Sequence, residues 1–387
     1  MNPAVQRCFD WLVDGAPGAP TPADTVARLC PELVAAGIPL HRVEAFVRTL
    51  HPHIVGRSFV WTHGSDGVVV RENSYAFLSS PAFLENPVSA VFADGKPARH
   101  RLADASARRG ELLDGLAREG FTDFYAGPLR FLNGTVHAIT FATKAPSGFT
   151  DEHVGALDQI LRPLSRVAEI FALSRTAVNL LNTYVGRGTG ERVMSGKIVR
   201  GDMESIRCAL WFSDLRDFTG LSARLPPGRI IGVLNELFDC QVPAIEAHGG
   251  EVLKFMGDGL LAVFPTGMGP SDREVCDGAL LAAREAFAAL DARNARADAV
   301  PPITFGVALH VGDVAYGNIG GAGRLDFTCI GSAVNLAARL EGLTGKLGRR
   351  VVVSAEFAAL ASGAPVRLGA FELKGVPGQV EAFAPSE

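Results

Sequence analysis

Two carboxylates, each beside an apolar, strand-like run, constrain this chain more than any other feature. Asp214 follows the apolar run 209–212, and Asp258 lies in a Gly-Asp-Gly turn between the apolar runs 251–255 and 260–264. An isolated Asp-Gly is usually an ordinary turn, but two carboxylates at strand ends form a pair that suits hard cations. The pattern therefore predicts a site for two divalent ions on a triphosphate.

The loop after Asp214 is predicted to open a helix near Thr219. Backbone N–H groups at a junction between a loop and a helix have no partner within the helix, so they can hold phosphates. Phe218 and Thr219 are therefore candidate substrate-binding residues.

A second motif lies farther along the chain. Residues 327–330 predict a strand, Gly331 a turn, and Ser332 the N-cap of an amphipathic helix. Asn335 and Arg339 are four residues apart and therefore share one face of that helix. Such a pair can hold a sugar and a phosphate together, although most polar pairs of this kind are only the solvated side of a helix.

From about residue 206 to residue 384, these motifs resemble, in order and spacing, the catalytic domain of class III nucleotidyl cyclases. The resemblance implies a ferredoxin-like α+β fold. It also implies that Asp214, Asp258 and the backbone carbonyl of Leu215 bind two Mg²⁺ or Mn²⁺ ions per active site.

The same resemblance assigns the nucleotide contacts. Asn335 would position the ribose, Arg339 would stabilise charge on the phosphates, and Lys374 would hold the terminal phosphates. Lys254 and Thr328 match the two purine-reading positions, where guanylate-specific members usually carry glutamate and cysteine. A lysine ammonium can donate to adenine N1 but cannot accept from guanine N1–H, and Thr328 resembles the class IIIb subgroup.

The function predicted is an adenylate cyclase that converts ATP to 3′,5′-cyclic AMP and pyrophosphate. In the family, the metal aspartates come from one subunit and the asparagine and arginine from the other, so the resemblance implies a homodimer. One alternative is a guanylate cyclase, which Lys254 disfavours. Another is an inactive, nucleotide-binding regulatory module.

Composition sets the wider class. The chain has 387 residues, 48% hydrophobic content and a net charge of −4, so we expect two or three domains and neither nucleic acid nor membrane as a partner. No apolar run reaches the roughly 20 residues that span a bilayer, and residues 1–15 lack the organisation of a signal peptide. Six scattered cysteines predict reduced, mostly buried thiols and a cytoplasmic location.

The domains predicted are an α/β GAF-like sensor over 1–155, a dimeric helical linker and coupling segment over 156–205, and the catalytic domain over 206–387. Within the sensor, residues 57–63 and 68–72 predict a hairpin. Seven histidines in this part of the chain suggest a metal or haem site, but no recognisable ligand set accompanies them, so surface or core roles are favoured. The small molecule or protein that provides the input is not identified by the sequence.

The linker carries apolar residues at alternating spacings of three and four, the heptad pattern of a coiled coil. The predicted seam consists of Leu157, Ile160, Leu164, Val167, Phe171, Ser174, Val178, Leu181 and Val185. Packing on the sheet of the sensor would also explain the first half. The length of the pattern favours a parallel dimer helix.

Overall fold

The computed structural model describes residues 2–104, 110–267, 269–296 and 301–386. The chain forms two compact units, Met1–Thr183 and Tyr184–Glu387. Within the described residues, no helix is both long and apolar enough to cross a membrane. The three-domain division given above stays a prediction.

The N-terminal unit is built on a six-stranded antiparallel sheet of order β3-β2-β1-β6-β5-β4. Its strands are β1 (Arg42–Arg48), β2 (Ile54–Thr62), β3 (Val68–Ser74), β4 (Ala98–Arg101), β5 (Asp123–Arg130) and β6 (Val136–Thr143). Its helices are α1 (Pro3–Val13), α2 (Pro22–Ala35), α3 (Pro81–Leu84), α4 (Pro87–Asp94), α5 (Glu111–Arg118) and α6 (Asp151–Val185). The predicted hairpin is confirmed, since β2 pairs with β3 across the turn.

Alternate side chains of the strands face opposite sides of the sheet, where they belong to two separate hydrophobic cores. Val43 and Ala45 of β1 pack with α1, α2 and α6, whereas Ala138 and Ala142 of β6 pack with α4 and α5. Successive side chains of a strand point to opposite faces, so one sheet can support helices on both sides. The GAF-like assignment of this unit stays a prediction.

Helix α6 corrects the predicted dimer seam. Leu157, Ile160, Leu164 and Val167 are each at most 5% exposed and belong to the core of the N-terminal unit. The first half of the heptad pattern therefore faces the helix's own sheet and is not available to a partner helix. The helix ends at Val185, where the sequence predicted a break.

The C-terminal unit contains a mixed sheet of order β13-β14-β12-β10-β7-β9-β8, with β11 paired to β10. The strands are β7 (Met203–Leu215), β8 (Glu251–Met256), β9 (Gly259–Pro265), β10 (Phe305–Gly321), β11 (Arg324–Ile330), β12 (Val351–Ser354), β13 (Val366–Glu372) and β14 (Gln379–Ala384). The helices are α7 (Arg187–Met194), α8 (Phe218–Arg224), α9 (Pro227–Ala247), α10 (Asp272–Asn294), α11 (Ser332–Lys346) and α12 (Ala355–Leu360).

Helices cover both faces of this sheet, so the predicted α+β class is confirmed for the unit. α9 and α10 share one core with alternate residues of β7, β9 and β10, and α11 packs in the clusters on the other face. The predicted strands and turn around Asp258 are observed as β8 and β9. The predicted N-cap differs, because Gly331 is the N-cap of α11 and Ser332 is its first helical residue.

Candidate active site

The two predicted metal carboxylates lie side by side. Asp214 is the penultimate residue of β7 and is paired with Gly259, the first residue of β9, which directly follows Asp258. The backbone N–H of Leu215 donates to the carbonyl oxygen of Asp258 at 3.3 Å. Burial, then the charge of Asp258 and a hydrogen bond to it, raise the pKa of Asp214 to about 6.

Glu341 places a third carboxyl group beside this pair. Gly306 of β10 is paired with Asp214, and a Cβ atom at Gly306 would lie 2.9 Å from Glu341 Oε1. Burial, followed by the charge of Asp214, raises the pKa of Glu341 to about 7. The Thr344 hydroxyl, one turn along α11, donates to Glu341 Oε1 at 3.1 Å. Glu341 therefore lies on the inner face of α11.

Asn335 and Arg339 lie on a different face of the same helix. Both are exposed, whereas Ala337 and Leu340 between and beside them are buried. Each residue of an α-helix advances about 100° around the axis, so Arg339 lies roughly 200° from Glu341. The face that carries Arg339 is thus turned away from the aspartate pair of its own chain.

The two purine-reading candidates are carried by neighbouring strands. Lys254 is in β8, and its Nζ lies 2.9 Å from Asp326 Oδ2 in β11. Thr328 follows Asp326 by two residues in the same strand, so both project from one face of it. The ammonium of Lys254 lowers the pKa of Asp326. The structure therefore brings Lys254 to the strand face that carries Thr328.

The three candidate phosphate-binding residues have fewer contacts that define their roles. Phe218 and Thr219 are the first residues of α8, and Phe218 packs against the core while Thr219 is exposed. Lys374 is exposed in the turn between β13 and β14. The contacts of the described residues do not join Lys374 to the other candidates, so its phosphate role stays a prediction.

Sequence reasoning missed Glu341 and Asp326, although both lie within motifs that it used. Asp326 could have been found from its spacing of two from Thr328 in a predicted strand. Glu341 could be placed only from the structure. Gly306 lacks a side chain and so leaves space for the Glu341 carboxyl group, and the pairing of Gly306 with Asp214 puts that space beside the aspartate.

The aspartate pair fits a divalent cation on physical grounds. Burial and the charge of Asp258 disfavour ionisation of Asp214, and a cation between the two carboxyl groups removes that penalty. Among the described residues, no group of three or more His, Cys, Asp or Glu side chains stands in metal-binding geometry. A metal at this pair would therefore need further oxygen ligands, such as the Leu215 carbonyl or substrate phosphates.

Comparison with known proteins identifies the C-terminal unit. Residues 202–384 match the family model for the adenylate and guanylate cyclase catalytic domain. Adenylate cyclase of Anabaena cylindrica is 34% identical over 160 residues, which make up 40% of this chain and 30% of that protein. Adenylate cyclase 1 of Rhizobium meliloti (strain 1021) is 31% identical over 145 residues, 37% of this chain and 22% of that protein.

The fold agrees with that match. A solved structure of a bacterial light-regulated adenylyl cyclase covers 66% of this chain and 82% of its own, with a TM-score of 0.50 and 21% identity. The segment 202–384 therefore matches adenylate and guanylate cyclase catalytic domains in sequence, and the solved structure shares its fold. The matched segment spans less than a third of the length of the two curated relatives.

Proposed function

We propose that this protein is an adenylate cyclase that forms 3′,5′-cyclic AMP and pyrophosphate from ATP. The family includes both adenylate and guanylate cyclases, so the purine contacts decide between them. The observation that carries the proposal is the placement of Lys254 against the strand face of Thr328, 2.9 Å from Asp326. An ammonium held there can donate to adenine N1, and a hydroxyl beside it tolerates the exocyclic amine.

Asp326 gives a second reason to assign adenine as the base. Its carboxylate fixes the position of the Lys254 ammonium, and a carboxylate can also accept a hydrogen bond from the adenine amine. Guanine presents N1–H where adenine presents an acceptor, so guanine would lose the hydrogen bond from Lys254 to N1 and would place two donors against each other there. Leaving a polar group of the site unpaired is the strongest form of discrimination between related substrates.

Cyclisation needs attack of the ribose 3′-hydroxyl on the α-phosphate in line with the departing pyrophosphate, and no protein nucleophile. Asp214, Asp258 and the Leu215 carbonyl would hold two Mg²⁺ or Mn²⁺ ions, which when bound supply an acidified hydroxyl and charge neutralisation. Asn335 would orient the ribose, and Arg339 would stabilise negative charge on the phosphates as the bond breaks. Lys374, Phe218 and Thr219 would hold the phosphates before the reaction.

A second copy of the chain completes this site in the proposal. Because Arg339 lies on the face of α11 turned away from Glu341 and the aspartate pair, its guanidinium suits the aspartates of a partner better than its own. A symmetric dimer would then contain two equivalent sites, each assembled from both chains. A cytoplasmic location belongs to the same proposal, since all six cysteines are buried and unpaired.

Helix α6 supplies a surface for the same dimer. Ile170, Leu173 and Leu180 are 64%, 59% and 40% exposed, and with Ala177 they follow the spacing three, four, three. This stripe lies about a third of a turn from the one buried in the N-terminal unit. Apolar residues at such spacings interlock with the same residues of an identical parallel helix, so we place the dimer seam here.

An assay of purified full-length protein tests the proposed activity. With Mg²⁺ or Mn²⁺ present, we expect cyclic AMP from ATP and much less cyclic GMP from GTP, both measured by mass spectrometry. The double change Lys254→Glu with Thr328→Cys should shift the ratio of the two kcat/KM values toward GTP by at least about tenfold, at a low overall rate. Lys346→Glu makes the same change of charge at an exposed position of α11 and should leave the ratio unaltered.

Two results would contradict the assignment. If neither cyclic AMP nor cyclic GMP forms with either metal, the chain is a nucleotide-binding module without activity. An unaltered preference for ATP in the double variant would show that the purine is read elsewhere.

A further inference from the structure

The N-terminal unit has an apolar cleft between its sheet and helices α2 and α6. The cleft has a volume of about 450 Å³ and is lined by side chains that include Val26, Ala45, Phe59, Ile139, Val167 and Phe171. This volume lies within the range of about 300–1,000 Å³ that is typical of small-molecule sites. The apolar body of a ligand would fit such a lining.

The charges at this cleft have one sign. Arg57 and Arg175 both line it, and no carboxylate belongs to its described lining. Arg57 donates from Nε to Glu72 Oε1 at 2.9 Å, and Glu72 lies outside the lining. Among the described residues no carboxylate pairs with Arg175, and burial together with the charge of Arg57 lowers the pKa of Arg175. Two guanidinium groups thus share one carboxylate, which leaves positive charge for an anion.

A buried hydroxyl group points to the same conclusion. Thr49 lines the cleft, and its Oγ1 is buried without a hydrogen-bond partner in the described part of the chain. Buried polar atoms in folded proteins nearly always have a partner, so an unpaired one beside a cavity indicates a position for a ligand or water atom. The Thr49 hydroxyl offers one donor to an oxygen of the ligand.

A second cavity in the same unit provides a contrast. It has a volume of about 430 Å³ and lies on the opposite face of the sheet, lined by Phe46, Phe77, Phe83 and other residues. Its charged residues are of both signs, Arg42, Arg71 and Arg118 with Glu44, Glu111 and Glu119. An unbalanced positive charge is therefore a property of the cleft with Arg175 and not of every cavity in the unit.

We propose that the cleft at α6 binds a small amphipathic carboxylate. The apolar part of the ligand lies against Val167 and Phe171, and its carboxylate pairs with Arg175 beside Arg57. Charge-assisted hydrogen bonds from a guanidinium to a carboxylate are among the strongest in proteins, and their planar geometry favours a carboxylate over a neutral alcohol. This inference goes beyond the cyclase proposal and does not rest on it, because binding to the N-terminal unit requires no nucleotide chemistry.

Calorimetric titration of the full chain with decanoate tests the proposal. We expect one decanoate to bind per chain with a Kd below about 1 mM, and no binding of decyltrimethylammonium, which has the same chain and the opposite charge. Arg175→Leu should weaken decanoate binding by about tenfold or more. Arg162→Leu, an exposed arginine of the same helix outside the cleft, should change it by less than about twofold.

Two further variants guard against a folding artefact. Thr49→Val keeps the shape of the side chain and should weaken binding by a few-fold, and Ala168→Leu should block the cleft while the thermal midpoint stays close to that of the wild type. Equal affinity for decanoate in Arg175→Leu, equal binding of the cationic amphiphile, or no binding up to about 1 mM would each overturn the proposal. A change in the association state of Arg175→Leu with its affinity retained would show that the cleft is an interface between copies, and would overturn it too.

Discussion

The Asp214 carboxyl is poorly stabilised as an anion in the metal-free chain, and this has a measurable consequence. Its pKa is raised to about 6 in the folded state, against about 3.9 in an unfolded chain. The folded state therefore binds more protons between those values, and the stability contributed by this group falls as the pH rises through that window. A divalent cation at the pair should restore the lost stability.

Asp214→Asn tests this effect because asparagine does not titrate, and it also removes the charge that helps to raise the pKa of Glu341. In EDTA at about pH 7.5, the variant should exceed the wild type in free energy of unfolding by on the order of 1–2 kcal/mol, a range reduced for solvent screening at a half-buried site. The difference should shrink as the pH is lowered toward about 4. Urea titrations at both pH values provide the measurement, and a difference that does not depend on pH would contradict the assigned pKa. Cyclase activity of the variant should be lost.

Single residues were predicted from sequence wherever a local rule applied to them. Asp214 and Asp258 stand at strand ends, so they followed from strand and turn chemistry, whereas Lys254 and Thr328 were assigned by the resemblance to the cyclase family. Asp326 and Glu341 were missed because each acquires its role from a partner more than 70 residues away along the chain, Lys254 and Asp214 respectively. Such contacts depend on tertiary pairing, which local spacing does not contain.

Helix α11 packs closely on the sheet because Gly306 has no side chain. A Cβ atom there would lie 2.1 Å from Thr344 Oγ1 and 2.9 Å from Glu341 Oε1. Gly306→Ala should therefore displace α11 from β10, lower the free energy of unfolding by about 1–3 kcal/mol and reduce cyclase activity. Urea unfolding monitored by tryptophan fluorescence provides the measurement.

Gly342→Ala is the matched control, because nothing lies within 4 Å of a Cβ atom at this exposed position of the same helix. Alanine favours the helix over glycine, so this variant should gain about 0.5–1 kcal/mol. Equal effects of the two substitutions would show that Gly306 is not needed for close packing.

Helix α6 shows where sequence periodicity stops being sufficient. The longest heptad pattern was predicted as a dimer seam, but half of it lies in the core of the N-terminal unit. A helix that packs on a sheet and a helix that packs on another helix both repeat apolar residues at spacings of three and four. Exposure in the folded unit distinguishes the two faces, and periodicity alone does not.

Charged substitutions on the exposed stripe of α6 test the proposed dimer seam. Leu173→Glu with Leu180→Glu places like charges on the exposed stripe of α6 and should raise the dimer dissociation constant by at least about tenfold, measured by sedimentation velocity. Arg162→Glu makes the same change of net charge at an exposed position elsewhere on the helix and should not alter that constant. Leu164→Glu instead buries a charge in the N-terminal core and should unfold that unit. A double variant that sediments like the wild type would remove α6 from the dimer interface.

For the molecule as a whole, the catalytic unit was predictable and the N-terminal unit only partly so. The cyclase motifs fall on strand ends and helix faces where chemistry and fold constrain the same residues. The N-terminal unit has no comparable motif. Its cleft is assembled from side chains of two helices and a sheet, with Arg57 and Arg175 more than 100 residues apart. The sequence therefore predicted an α/β sensor unit without locating the charged cleft.

The central claim is that a nucleotide site is assembled from two copies of this chain, and mixing two inactive variants tests it most directly. Asp258→Ala and Arg339→Ala should each be nearly inactive as homodimers. A heterodimer of the two has one site with both lesions and one site with neither, so under subunit exchange it should recover up to about half of the wild-type activity. No recovery, with the heterodimer demonstrated by native mass spectrometry, would show that each chain builds its own site and would contradict the account.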